Sequence, residues 1–235
     1  MKENAHYQQV KKADFEPEMV YVEGGTFRMG SPAHEKGRCD DEKPHLVTLG
    51  DFLIGKYVIT QRQWKAVMMD NPSFNQDDNY PVEDINWDDT QQFLCKLNAA
   101  TGKNYRLPTE AEWEFAARGG KESKGFLYSG SNNISYVGWH RDNSWGRTHP
   151  VGYKRANELG IYDMSGNVWE WCNDWYDEYP KRPQKNPQGP SHGTNRIGRG
   201  GSWGDEMSLC RVAYRSYIDP EDRSSLLGFR VVLPL

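Results

Sequence analysis

One short segment, residues 160–171, constrains the fold of this chain more than any other, because it combines a tight turn, carboxylates and tryptophans. Its sequence is GIYDMSGNVWEW, in which Asp163 and Glu170 flank a Gly-Asn pair. The main-chain carbonyls of Gly166 and Val168 can point inward between these side chains. Carboxylate and carbonyl oxygens are the ligands that Ca²⁺ prefers. The spacing alone favours a simpler interpretation, an Asx-type turn with both tryptophans in the core.

Three amphipathic helices are predicted in the first half of the chain from their N-terminal caps. Thr60 with Gln63, and Thr109 with Glu112, have the spacing of a capping box. Asn86 is in position to cap the helix between them. In the second half no long helical pattern occurs, and the 23 Gly and 13 Pro of the chain indicate frequent turns.

Short apolar runs predict strands at residues 45–49, 51–59, 196–203 and 227–233, and two more around a Gly-Gly turn within residues 19–31. The expected fold class is therefore an α+β single domain with much irregular structure. Irregular backbone is not stabilised by hydrogen bonds between paired strands, and bound cations would stabilise it instead.

Length and charge restrict the domain organisation and the partners. The 235 residues fit one domain over residues 19–235, after a flexible polar N-terminus at residues 1–18. The net charge is −4 without blocks of like charge, so neither nucleic acid nor an anionic membrane is an expected partner. No apolar run reaches membrane-spanning length and no signal peptide is recognisable. These features predict a soluble monomer, either cytoplasmic or exported with its leader removed.

Several segments, in their order, resemble the formylglycine-generating enzyme family, which is also called the sulfatase-modifying factor family. They are residues 24–31 (GGTFRMGS), 57–60 with Trp64, 81–82 with 86–87, 105–119 (YRLPTEAEWEFAARG), 157–171, 199–203 (RGGSW) and 227–230 (LGFR). The resemblance extends over residues 19–235. It implies the family fold, which is similar to a C-type lectin domain and holds bound Ca²⁺. Because proteins that share one fold can have several functions, the resemblance is weaker evidence for the activity than for the fold.

The resemblance also implies a structural Ca²⁺ site with four oxygen ligands. They come from Asp163, Gly166, Val168 and Glu170. Asp163 stands where the family usually has Asn, which keeps an oxygen ligand and adds a charge. A second family site lies near residues 136–151, where Asp142 and Asn143 are weak candidates.

Enzymes of the family oxidise a sulfatase cysteine to formylglycine, and the resemblance covers only part of their copper site. Two cysteines after a Gly-Gly-Ser turn bind Cu(I), which activates O₂, because a soft monovalent ion prefers thiolates. Here Cys210 takes the place of the second cysteine, Asp205 that of the first, and Leu226 that of an Asn beside the active site. The alternative role of Cys210 is a small buried residue packed beside Tyr214.

The four cysteines are scattered without a CxxC pair, which indicates neither a disulfide framework nor a zinc site. Cys95 on a helix flank and Cys172 in the tryptophan-rich segment are expected to pack in the core. Cys39, in a charged loop, is expected to be the reactive thiol. Three carboxylates at the start of the third helix are expected to act through its dipole: Glu110, Glu112 and Glu114.

Two functions of different classes fit these residues. The first is a non-catalytic module that binds a protein, peptide or glycan through the loops of residues 203–226, because large apolar and charged side chains in loops form recognition surfaces. The expected ligand contacts are Trp203, Asp205, Glu206, Met207, Leu209, Tyr217, Asp219, Arg223, Ser224 and Leu226. This arrangement is similar to the variable proteins of diversity-generating retroelements, which share this fold and place their variable loop near the C-terminus.

The second function is a copper-dependent oxidase that converts a sulfatase cysteine to formylglycine, with Cys210 as its catalytic residue. It requires a second sulfur within bonding reach of Cys210, whereas the binding module does not. A third activity, C–S bond formation at an iron site of three histidines, finds little support in six scattered histidines.

Overall fold

The computed structural model describes residues 15–235, so residues 1–14 of the N-terminal segment expected to be flexible lie outside the described residues. The helices are α1 (Gln61–Met68), α2 (Trp87–Thr101), α3 (Glu110–Ala117) and the short α4 (Ile134–Val137). The strands are β1 (Met19–Val22), β2 (Gly25–Met29), β3 (His45–Leu49), β4 (Phe52–Gly55), β5 (Trp169–Trp175), β6 (Gln184–Lys185), β7 (Arg196–Arg199), β8 (Arg215–Ile218), β9 (Leu227–Gly228) and β10 (Val232–Pro234). This mixture of short helices and strands confirms the predicted α+β class.

Three small sheets carry these strands. In the first, β4 pairs antiparallel with β1 and with β10. In the second, β3 pairs antiparallel with β2 and parallel with β6. The third has the order β8-β7-β5-β9, with a parallel pair between β5 and β9. The two strands predicted within residues 19–31 are therefore present, but they belong to different sheets.

The sequence patterns did not predict β5 or β8. In β5 most side chains are buried, so the strand shows no alternation of apolar and polar residues. It pairs with β7 on one side and with β9 on the other. The strand begins inside the segment of residues 160–171, and it places Glu170 in the interior of the domain.

The three predicted helices are present with their predicted caps. The Thr60 side chain accepts a hydrogen bond from the Gln63 N–H, and the Gln63 side chain accepts one from the Thr60 N–H at 3.0 Å. The same reciprocal pair joins Thr109 and Glu112 at α3. Asn86 caps α2 as expected.

Two buried apolar clusters make up most of the core. One surrounds Trp113 of α3 and includes strands of the first two sheets. The other joins α1 and α2 to the C-terminal segment, where the rings of Trp64 and Phe93 stack at 5.3 Å and Phe229 meets both of them edge-on. Phe15, the first described residue, packs against this second cluster.

Buried arginines, more than the dipole, fix the carboxylates of α3. Glu114 is fully buried and pairs with Arg199 of β7, and its Oε1 also accepts a hydrogen bond from Arg118 at 2.8 Å. Glu110 accepts two hydrogen bonds from Arg215 of β8, at 2.7 and 2.9 Å. For Glu110 and Glu114, the expectation that they act through the dipole is therefore wrong as an account of their main interaction, whereas Glu112 acts at the helix N-terminus as part of the capping box. The reason is that α3 packs against β7 and β5.

Asp174, near the end of β5, holds the N-terminus of α3 in place. Its Oδ2 accepts a hydrogen bond from the Glu110 N–H at 2.9 Å. Burial first, and then the neighbouring charge of Glu110, raise the pKa of Asp174 to about 7. Because this pKa lies above that of an aspartate in an unfolded chain, the folded protein binds the proton more tightly than the unfolded chain does.

The stability contributed by Asp174 should therefore be present at low pH and be lost as the pH rises from about 4 to about 7. Asp174→Asn keeps an oxygen acceptor for the Glu110 N–H but cannot ionise. We expect this variant to gain up to about 4 kcal/mol over the wild type at pH 8, and much less at pH 5. Urea unfolding at both pH values measures the difference, with the exposed Asp222→Asn as control. An equal difference at the two pH values would contradict the assignment.

Candidate functional site

Cys210 lies at the end of a short 3₁₀ turn, Met207–Cys210, and its side chain is 0% exposed. Its Sγ is 3.8 Å from the carbonyl oxygen of Glu206. It packs in a small apolar cluster with Tyr128, Ile134 and Val137. Tyr214, its expected neighbour, packs instead against the cluster of α1 and α2. The thiol is thus enclosed, as expected for a packing residue, although by other side chains.

Asp205 lies close to Cys210, where the resemblance placed the first copper cysteine. Its Oδ2 accepts hydrogen bonds from the N–H and the hydroxyl of Ser202, the N–H bond measuring 2.9 Å. Burial first, and then the charge of Asp205, raise the pKa of the Cys210 thiol, while a hydrogen bond from the Ser202 N–H lowers it in part. The two positions of the copper pair therefore hold a protonated thiol and a carboxylate, close enough for the charge of Asp205 to act on the thiol.

The remaining cysteines differ in their surroundings, and all four are free thiols. Cys172 is buried in β5 as expected, but Cys95 is exposed on α2, so its predicted place in the core is wrong. Burial, followed by the charges of Glu42 and Asp41, raises the pKa of Cys39, so this thiol is not activated as expected. Among residues 15–235, no three His, Cys, Asp or Glu side chains gather in a group that could hold a metal ion.

The turn in residues 160–171 contains one buried oxygen without a partner. Asp163 has left-handed backbone, with φ of 60°, and its Oδ2 accepts a hydrogen bond from the Gly152 N–H at 2.7 Å. Its Oδ1 is buried and accepts no hydrogen bond from residues 15–235. Burial, and to a smaller extent the charge of Glu170, raise the pKa of Asp163 to about 6. A buried polar atom without a partner in the protein is what a site for a bound ion requires.

Glu170 is already paired inside the protein. Its Oε2 accepts hydrogen bonds from Trp113 Nε1 at 2.8 Å and Arg230 Nε at 2.6 Å, and its Oε1 accepts one from Arg230 Nη2 at 2.7 Å. Since a carboxylate oxygen has two lone pairs, Oε1 retains one for a further partner. Within the described chain, the carbonyls of Gly166 and Val168 accept no hydrogen bond. Asp163 Oδ1, Glu170 Oε1 and the two carbonyls thus each keep a free lone pair, and oxygens of this type are the ligands of hard cations.

Asp142 and Asn143, the candidates for a second Ca²⁺ site, show fewer features of a metal site. The Asn143 side chain accepts a hydrogen bond from the His140 N–H at 2.8 Å and donates one to the Gly138 carbonyl at 3.1 Å. Asp142 is exposed. The amide of Asn143 therefore serves the local turn.

Asn167, next to the turn, connects two loops of the surface. Its side chain exchanges two hydrogen bonds with the main chain of His149, at 3.0 and 3.1 Å. Its N–H donates to the carbonyl of Trp139, and its carbonyl accepts from the Trp203 N–H at 2.9 Å. A Cβ on Gly166 would lie 2.1 Å from the Trp139 carbonyl oxygen, so only glycine fits there. The turn thus holds the loops of residues 138–152 and 202–206 side by side.

The expected ligand contacts fall into separate groups. Trp203 and Leu226 lie together, because Trp203 Nε1 donates to the Ser225 carbonyl at 3.0 Å and Leu226 lies against Gly204. Leu226 also donates its N–H to the Ser224 hydroxyl. Glu206 and Met207 are exposed next to Asp205, whereas Leu209 packs against the core.

Tyr217, Asp219 and Arg223 are exposed on β8 and in the loop after it. The ring of Tyr217 lies 5.2 Å from that of Tyr176, and Arg223 pairs with Asp89 of α2. Tyr217 and Arg223 therefore contact partners other than Trp203 and Leu226, and they form a separate group of expected ligand contacts.

The sequence did not indicate that the loop of residues 138–153 belongs to the same surface as residues 203–207. Arg141 donates to the carbonyls of Asp205 and Gly204, at 2.9 and 3.1 Å. Trp145 is 78% exposed and has left-handed backbone with φ of 53°, and Tyr153 is 73% exposed. A bulky exposed side chain in this backbone region is unusual and often marks a functional position. The sequence signal was a single tryptophan among turn residues, which resembles a core residue.

Comparison with known proteins identifies the family. Residues 4–235 match the model of the sulfatase-modifying factor enzyme 1-like domain. The chain belongs to this family. Chaperone protein LppX of Paenibacillus barcinonensis is 35% identical over 92% of this chain and 89% of its own length. The formylglycine-generating enzyme of Thermomonospora curvata is 31% identical over 90% of this chain and 92% of its own length.

Solved structures agree with the fold. Treponema denticola variable protein 1 superposes with a TM-score of 0.86 and 31% identity, covering 92% of this chain and 95% of its own. PvdO from Pseudomonas aeruginosa gives a TM-score of 0.82 and 29% identity, covering 95% and 96%. These matches confirm both the suspected family and the expected C-type-lectin-like architecture. Their names include an enzyme, a chaperone and a variable protein, so membership of the family does not decide the function.

The part of the chain that the structure describes contains no helix long and apolar enough to cross a bilayer.

The surroundings of the thiols predict their order of alkylation in the native protein. With iodoacetamide at pH 8, Cys95 should react first, because it is exposed. Cys172 and Cys210 should react at least about 100-fold more slowly, since their modification requires opening of the fold. Peptide mass spectrometry over time gives the four rates, and the same reaction in urea provides the control. Alkylation of native Cys210 as fast as that of Cys95 would contradict its burial.

Proposed function

We propose that this protein is a non-catalytic ligand-binding module that uses the loops of residues 203–226. The observation that carries the proposal is that a buried Cys210 thiol and the Asp205 carboxylate occupy the two positions where the resemblance requires copper thiolates. Cu(I) prefers sulfur, and a raised pKa keeps the single thiol protonated, so this pair is a poor copper site. The alternative, a formylglycine-generating oxidase, would have Cys210 as its thiolate and the Asp205 carboxylate in place of the other.

The surface beside this pair has the character of a recognition site. Exposed Met207 and Glu206 lie next to Arg141, whose guanidinium pairs with Glu206 at 3.2 Å, and Trp145 extends the same surface. Aromatic residues and arginine supply much of the binding energy of protein interfaces. Similarity to a variable protein supports this proposal. Binding residues are found disproportionately on loops that a rigid scaffold positions. The ligand would be a protein, a peptide or a glycan.

We further propose Ca²⁺ as a structural cofactor held by the turn of residues 163–170. The unpartnered Asp163 Oδ1, the remaining lone pair of Glu170 and two carbonyls supply oxygen ligands of the type that Ca²⁺ prefers. A bound cation would offset the burial of the Asp163 carboxylate. It would also brace Asn167, which connects the two surface loops.

The copper assay separates the two functions. Wild-type protein supplied with Cu(I), O₂ and a sulfatase-motif peptide should form no aldehyde, because Asp205 replaces one thiolate. Asp205→Cys should retain copper after dialysis, whereas Asp205→Asn should not, since only the first supplies a second sulfur. Mass spectrometry of the peptide and metal analysis of the protein give the two readouts. Aldehyde formation by the wild type would refute the non-catalytic function.

The binding arm of the same test uses a random-peptide phage library and a glycan array, each screened with wild-type protein and with Trp203→Ala. Binders of the proposed surface should lose at least about tenfold in affinity for the variant, as expected for a central aromatic contact. Binders that are insensitive to this change, and to Trp145→Ala, would place the ligand elsewhere on the protein.

Calcium should raise the melting temperature of the wild type relative to the protein in EGTA. At about 100 times the dissociation constant, the gain is roughly 3 kcal/mol, or about 5–10 °C for a chain of this size. Asp163→Gly removes a ligand where φ is 60° without backbone strain, and it should abolish the shift. Asp142→Asn, in the weaker candidate site, should preserve the shift. A shift that survives Asp163→Gly would refute the site.

A further inference from the structure

We propose that a cavity beside Asp174 binds a primary ammonium group carried on an aliphatic chain. The cavity has a volume of about 440 Å³ and lies between the N-terminus of α3, the end of β5 and the segment of residues 177–190. Small-molecule sites commonly have this size. None of the expected ligand contacts in the 203–226 loops lines the cavity, so this site goes beyond the proposed function.

Two carboxylates lie deep in the cavity wall, Glu110 and Asp174, and within residues 15–235 only Glu110 forms an ion pair. Glu110 is neutralised by two hydrogen bonds from Arg215, and it also accepts the hydroxyl of Tyr179 at 3.0 Å. Asp174 is 5% exposed and uses its Oδ2 for the Glu110 N–H. Its Oδ1 accepts no hydrogen bond from residues 15–235. A carboxylate oxygen in a cavity that has no hydrogen-bond partner in the protein is a position that a cationic ligand would stabilise.

Two arginines, Arg215 and Arg196, act on Asp174 by their charge, and both have other partners. Arg215 binds the carboxylate of Glu110. The guanidinium of Arg196 lies between the rings of Trp87 and Trp175, at 3.8 and 3.5 Å, and donates to the Asn173 carbonyl at 2.6 Å. It forms no ion pair with Asp174. The raised pKa of Asp174 agrees with a carboxylate that lacks such a partner.

Charges at the rim favour a cation over an anion. Asp177, Glu178 and Arg182 line the cavity, and Glu178 pairs with Lys43 at 3.6 Å. With Glu178 and Glu110 paired, the carboxylates of Asp174 and Asp177 face one arginine, Arg182, which leaves an excess of negative charge. An anionic ligand would therefore meet unpaired carboxylates, and the cavity should exclude it.

The side chains that line the cavity favour a primary ammonium group over a quaternary one. Met29, Ala111 and three prolines give apolar surface that suits an aliphatic chain. An aromatic cage for a quaternary ammonium needs free ring faces. Here Arg215 lies 3.8 Å over the ring of Tyr179, and His45 packs against the same ring at 4.6 Å. The ligand should therefore bind through N–H donors to Asp174 and not through a methylated cation.

Two kinds of ligand contain a primary ammonium group on an aliphatic chain: a free alkylamine, and the lysine side chain of a polypeptide. Calorimetric titration with n-butylammonium and with N-acetyl-lysine amide distinguishes them. Binding of both probes indicates a site open to free amines, and binding of the lysine probe alone indicates a polypeptide ligand. Tetramethylammonium and butyrate should not bind.

Asp174→Asn should weaken binding of the ammonium probes at least about tenfold at pH 8, because the acceptor loses its charge. The matched control, Asp222→Asn, should bind like the wild type. Urea unfolding verifies that Asp174→Asn is folded before titration. Absence of binding for both ammonium probes, equal affinity of the Asp174→Asn protein, or equal binding of tetramethylammonium would each overturn the proposal.

Discussion

The buried pair of Arg230 and Glu170 is the interaction on which the rest of the domain depends. Arg230 bonds both oxygens of Glu170, at 2.6 and 2.7 Å, and donates to the carbonyls of Gly55 and Tyr162, both at 2.9 Å. One guanidinium thus joins the end of β4, the segment before the turn, the central strand β5 and the C-terminal segment. Removing one member of a buried pair leaves an uncompensated charge, which typically costs about 3–5 kcal/mol.

Other buried arginines repeat this arrangement where regular structure is absent. Arg199 donates to the carbonyls of Val212 and Ala213, both at 3.0 Å, while it pairs with Glu114. Arg211 pairs with Glu42 and donates to the Gly37 carbonyl at 2.5 Å. The sequence led us to expect that bound cations support the irregular backbone, and guanidinium groups perform much of this task. Their planar set of donors reaches several carbonyls at once.

Local signals explain which parts of the fold could be predicted. The caps at Thr60, Asn86 and Thr109 act within four residues, so the helices could be predicted from the sequence. The strand β5 could not, since burial of most of its side chains removes the alternation on which strand prediction rests. Pairing of Arg199 with Glu114 spans 85 residues, and nothing in either local sequence indicates it.

Some features of the candidate site could likewise be predicted from the sequence, and others could not. Counting positions from the Gly-Gly-Ser turn assigned Asp205 and Cys210 to one site, and in the structure the charge of Asp205 acts on the Cys210 thiol. Burial, which decides the chemistry of that thiol, is a property of the assembled fold and has no local signal. The same holds for the exposed ring of Trp145, because an aromatic residue among turn formers has the pattern of a core residue.

The loop of residues 202–206 is attached to its scaffold largely by main-chain groups. The N–H of Trp203 binds the Asn167 carbonyl, the carbonyl of Trp203 accepts the Ser144 hydroxyl, and the carbonyl of Asp205 accepts the Arg141 N–H. Every amino acid except proline carries these same groups. Side chains at residues 203, 206 and 207 can therefore be exchanged during evolution, or in a library, while the loop keeps its path.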